Sequence, residues 1–117
     1  MFQLKKVNTI LHPCRLRQAN EDGSVNEATL RVRFNVIDRA ELDRMANADD
    51  DDDRLVFDVV VNKIEDEVQG DDGHTLQEAD ARAAIRNDLS LSAQIVAQYW
   101  ELMNGAAAKN AKRSRGR

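Results

Sequence analysis

The feature that most constrains the fold is a change of hydrophobic period at Ile37. From Thr29 to Ile37 apolar and polar residues alternate, with Leu30, Val32, Phe34 and Val36 facing one way and Arg31, Arg33 and Asn35 the other. That is the period of a strand buried on one face. After Ile37 the apolar spacing lengthens to that of a helix. Strands followed by helices place the chain in the α+β class. The expected fold is an N-terminal antiparallel β-hairpin or small sheet followed by about four helices, the last the longest.

The hairpin is read from both of its arms. Cys14 and Leu16 alternate with Arg15 and Arg17, and Asn20-Glu21-Asp22-Gly23-Ser24 supplies turn formers between the two runs. Phe2 to Val7 is a short candidate for a third strand. Pro13 has no N–H to give a ladder, so it must lie at an edge or at a strand start.

Beyond the hairpin, Asp38 with Glu41 has capping-box spacing, and Leu42 and Met45 form the apolar face of a short helix. The aspartates from Asp49 to Asp53 then predict a solvated loop. Arg54 to Val68 suits a strand by its β-branched residues and a helix by its spacing. Its length favours a helix, with Phe57, Val60, Val61, Ile64 and Val68 on one face. Gly70-Asp71-Asp72-Gly73 reads as a turn. Thr75 and Glu78 have capping spacing ahead of an Ala-rich helix to Asn87. Asp88 or Ser90 caps the last helix, whose stripe is Leu91, Ile95, Tyr99, Leu102, Met103 and Ala106.

Length and composition sharpen this outline. The 117 residues suit one hydrophobic core. A 42% apolar and 4% aromatic content predicts a core of aliphatic side chains without a large aromatic-lined pocket. Residues 1–108 are expected to form the domain and residues 109–117 a basic, disordered tail. The formal charge of −4 is unevenly spread: Asp38 to Asp88 is strongly acidic, and Lys109, Lys112, Arg113, Arg115 and Arg117 make the tail basic. With one cysteine, no signal-like start and no apolar run of about 20 residues, the chain is expected to be soluble in a reducing cytoplasm.

Candidate chemistry is sparse. An EF-hand loop begun at Asp49 would put Arg54 at the glycine position and Val60 at the bidentate glutamate position, so the acidic run reads as a solvated loop. His12 and His74 lack ligands at metal-binding intervals, and Cys14 lies in a strand pattern without a nucleophile motif. Phosphate-loop, nucleophile-elbow and paired-cysteine motifs are not found, so no enzymatic activity, cofactor or metal is expected. The tail alone supports only non-specific, salt-sensitive contact with nucleic acid. Trp100 stands beside Ile95, Val96, Tyr99 and Met103 on the last helix. It serves either as core or as an aromatic anchor for a partner.

The order of these elements resembles that of the tail assembly chaperones of long-tailed bacteriophages. The resemblance runs over an antiparallel pair ending at Thr29 to Ile37, the capped Asp38-Arg39-Ala40-Glu41-Leu42, an acidic linker and an apolar helix ending at Gly-Asp-Asp-Gly. A short helix at Leu76 to Arg86 follows, then a last helix with Ala97-Gln98-Tyr99 that closes near Gly105, Lys109 and Asn110. Similar sequences often carry tryptophan and glycine where this chain has Asn62 and Lys63. The resemblance implies a protein of the bacterial host's cytoplasm that binds the long helical tape measure protein and keeps it soluble until tube subunits polymerise. It further implies absence from the finished tail and, in many relatives, a frameshifted longer form that recruits tail tube protein. Ile95, Val96, Tyr99, Trp100 and Met103 are then the expected contacts with the client or with another copy in a homo-oligomer. The alternative reading is a small structural virion protein, such as a head-tail connector or tail-completion factor.

Overall fold

The structure, a computed structural model, describes the backbone of residues 2–4, 6–46 and 53–115 and the side chains of residues 2–4, 6–45 and 56–104. It is α+β. Strands β1 (Thr9–Ala19), β2 (Val25–Asn35) and β3 (Val61–Ile64) form an antiparallel sheet in that order, with helices α1 (Arg39–Ala46), α2 (Asp53–Val60), α3 (Glu78–Asn87) and α4 (Leu89–Arg115). The expected solvated loop at Asp49 to Asp53 lies outside the described residues except for Asp53, which begins α2.

β1 and β2 make the expected hairpin, in register from Thr9↔Asn35 to Ala19↔Val25. Its loop closes with the Asn20 N–H donating to Ser24 O at 2.8 Å, and Gly23 takes a φ of +89°, a region that glycine enters without a Cβ clash. The even-numbered residues Cys14, Leu16, Val32 and Phe34 are buried under the helices, while Arg15, Arg17 and Arg31 face solvent. Pro13 sits on the edge strand. Its odd neighbours point their backbone groups away from β2, so the missing N–H costs the ladder nothing.

Two expectations are corrected here. Phe2–Val7 is not a strand among its described residues. The third strand comes instead from Arg54 to Val68, which is not one helix but α2 followed directly by β3. The reason is non-local: β2 offers an unpaired edge at Val32 to Phe34, and the run Val59-Val60-Val61 is β-branched and fits a pleated sheet as well as a helix. The inward residues survive the change of element. Phe57, Val60, Val61 and Ile64 are at most 5% exposed, and Val68 packs against the same core. Val61 lies opposite Phe34 and Ile64 opposite Val32, so Asn62 is the extra residue of a bulge, and two positions three apart face the same way. The Asn62 amide donates to Asn35 Oδ1 at 3.0 Å and the Asn35 amide to Val59 O at 3.0 Å, tying the bulge to β2.

The caps are mixed. Asp38 holds α1, its Oδ1 accepting the Glu41 N–H at 2.9 Å, and Glu41 turns to Arg44 instead of completing a capping box. Asp88 caps α4, accepting the Leu91 N–H at 2.9 Å. Thr75 does not cap α3. It bridges Gln69 across the Gly70–Gly73 turn, and the α3 N-cap is Gln77, whose side chain makes no capping bond. The expected division at Ala108 falls inside α4, which runs on to Arg115, and the tail's side chains lie outside the described residues.

Candidate partner-binding site

α4 lies against β1 and buries its stripe in the core. Ile95 and Tyr99 are fully buried and Val96 is 5% exposed. Tyr99 is the pivot: its hydroxyl donates to Asn35 O at 3.0 Å and accepts the Ile37 N–H at 3.4 Å, and its ring stands 5.2 Å from both Phe34 and Trp100. Burial pushes the Tyr99 phenol above its usual pKa, with the Ile37 N–H partly opposing the shift. Three of the five residues expected to touch a partner are therefore structural. Ile95, Val96 and Tyr99 have essentially no surface to offer.

Trp100 and Met103 are different. Both are half-buried, packed on the rim of the core. With Ile37 and Leu42 they line an open groove of about 530 Å³ between the start of α1 and the fourth turn of α4, and Asp38, Arg39 and Asn104 stand around it. Asn104 donates its amide to Trp100 O at 3.0 Å, which fixes it along the helix. Ile37 and Leu42 are the part of this surface that the α4 pattern alone did not disclose. Their contribution follows from the Asp38 cap, which starts α1 where β2 ends beside Tyr99.

A second pair of α4 residues was not singled out in the sequence. Gln98 accepts the Arg15 N–H at 3.1 Å and donates to Arg15 O at 2.8 Å; Gln94 does the same for Arg17, at 2.8 Å each way. Four residues of helix rise about 6 Å and two residues of strand about 6.8 Å, so amides at i and i+4 match alternate edge positions. These two glutamines close the outer edge of β1 as a neighbouring strand would. The only local hint is their spacing.

The remaining candidates have structural surroundings. Cys14 is fully buried, and desolvation pushes its thiol up to about 12, which keeps it protonated and unreactive. His12 is half-buried with its ring 6.3 Å from Phe34, and His74 is exposed beside Asp72 at 3.2 Å. Among the described residues no group of three His, Cys, Asp or Glu side chains could hold a metal, and no helix is long and apolar enough to cross a membrane. The solvent face of the sheet carries Arg17, Arg31 and Arg33, which meet Glu27 at 3.6 Å, Asp66 at 2.8 Å and Glu65 at 2.7 Å. Compared with known proteins, the chain matches no family model, no curated protein and no solved structure.

Proposed function

We propose that the protein is a tail assembly chaperone of a long-tailed bacteriophage, which holds the tape measure protein soluble in the host cytoplasm while the tail tube assembles. The observation that carries this reading is the groove of Ile37, Leu42, Trp100 and Met103. A trough between two helices, apolar along its length and bordered by Asp38, Arg39 and Asn104, accepts the apolar stripe of a third helix. A long helical client exposes such stripes until tube subunits cover them. The resemblance in element order supports the same role over the hairpin, the Asp38-capped helix and the last two helices, while its apolar helix before Gly-Asp-Asp-Gly is α2 and β3 in this chain.

Coexpression with a tape measure protein is the direct test. The client should be recovered soluble with the unaltered chain and should aggregate with Trp100→Ala or Met103→Asp, while both variants keep their circular dichroism. Client solubility that survives both substitutions contradicts the reading. Mass spectrometry of purified tails should find the chain absent; a fixed copy number in the particle would favour a connector.

A further inference from the structure

The β1–β2 ribbon is longer than the strand that pairs with it. β3 covers only Val32 to Phe34. The ladder continues one step further, with the Arg31 N–H donating to Asp66 Oδ2 at 2.7 Å and the Glu65 N–H donating to Arg31 O at 2.9 Å. Val25, Glu27 and Thr29 point their backbone groups in the same direction as Arg31, by the two-residue period of a strand. Those groups have no partner among the described residues. Beside this open edge lies a trough of about 720 Å³, floored by Leu16, Leu30, Val68, Ile85 and Leu91, with Glu67 on its rim. Unpaired donors and acceptors along an apolar floor receive an extended segment as an added strand.

The chain carries a segment of that kind. Phe2 and Leu4 are each 86% exposed, and Val7 is 49% exposed. In an extended segment Phe2 and Leu4 share one side and Gln3 takes the other. Lys6 opposes in sign the carboxylate of Glu67 on the trough's rim.

This segment cannot line its own trough. It leaves the sheet at Asn8, whose carbonyl accepts the Val36 N–H at 2.9 Å. Thr29 lies about 23 Å back along β2 from Val36, and Val25 about 13 Å beyond that. Asn8 to Phe2 spans at most about 22 Å. Even laid straight along the ribbon, only its first residues approach Thr29.

We propose that Phe2–Val7 of one copy adds as a strand along Val25–Thr29 of a second copy, and reciprocally, so that two chains form an arm-exchanged dimer with Phe2 and Leu4 on the trough floor. Closure by a two-fold axis satisfies both open edges at once. The groove at Trp100 is not used, so this dimer and the client-binding reading stand or fall separately.

Sedimentation equilibrium of the full chain tests it. The unaltered chain should dimerise with concentration, and Leu4→Asp should raise the dimer dissociation constant at least about tenfold, as expected for loss of one buried leucine. Leu4 is exposed in the single chain, so this variant should fold as before. Thr29→Pro should weaken the dimer similarly, since it removes an outward N–H as Pro13 does on β1. Mixing a Gln3→Cys chain with a Glu27→Cys chain should give a covalent dimer under oxidation. A monomer at every concentration, a dimer that withstands Leu4→Asp, or a crosslink confined within one doubly substituted chain would each overturn the proposal.

Discussion

The first three turns of α4 and its fourth turn do different work on one continuous helix. From Leu91 to Tyr99 the described side chains facing the sheet are committed to the fold: Ile95 and Tyr99 to the core, Gln94 and Gln98 to the edge of β1. From Trp100 to Met103 the stripe is only half-buried: Leu102 packs on the core, and Trp100 and Met103 rest on its rim while lining the groove at the start of α1. The periodic stripe continues without interruption across the boundary. What changes is how completely it is covered, so an apolar stripe by itself does not distinguish a core from a half-open groove.

Substitutions on the two sides of this boundary should separate stability from association. The largest loss of stability is expected from Tyr99→Ala, which empties a fully buried aromatic position and leaves Asn35 O without its donor. It should cost about 3–5 kcal/mol, read as a shift of the urea unfolding midpoint. Next comes the double change Gln94→Ala with Gln98→Ala. It should cost about 1–3 kcal/mol and, by uncovering the β1 edge, speed amide exchange at Arg15 and Arg17. Trp100→Ala should cost less than either, about 1–2 kcal/mol at a half-buried position, yet, on the proposed role, abolish client solubilisation. A Trp100→Ala protein that unfolds would move the boundary one residue along the helix and place Trp100 with the core.

The smallest effect concerns the end of the β2–β3 ladder. The Arg31 backbone N–H and guanidinium hold the Asp66 carboxyl below its usual pKa. A depressed folded-state pKa contributes stability that is present above the unfolded value near about 4 and is lost as pH falls through the folded value. Asp66→Asn should therefore lower the unfolding midpoint slightly at pH 7. It should also flatten the acid-side loss of stability, as measured by thermal melts between neutral and low pH.

The same contrast explains what could be read from the residues. The hairpin, the Asp38 and Asp88 caps and the α4 stripe were legible because their signals are local: alternation, a cap spacing, a helical period. The switch from α2 to β3 was not, because Val59, Val60 and Val61 suit both states and the vacant edge of β2 decided between them. Thr75 had cap spacing but was claimed by its bridge to Gln69. Gln94 and Gln98 look like ordinary polar positions until the β1 edge is beside them. At the groove, Trp100 and Met103 were anticipated, whereas Ile37 and Leu42 required knowing where α1 begins relative to Tyr99.

Trp100 is the single tryptophan of the chain, and it lines the groove. Its fluorescence thus reports directly on occupancy when the purified protein is titrated with the tape measure protein. The account predicts a saturable blue shift of emission as the indole is covered by the client helix, matched in midpoint to complex formation by sedimentation. Complex formation with an unchanged emission spectrum would place the client elsewhere on the molecule and contradict it.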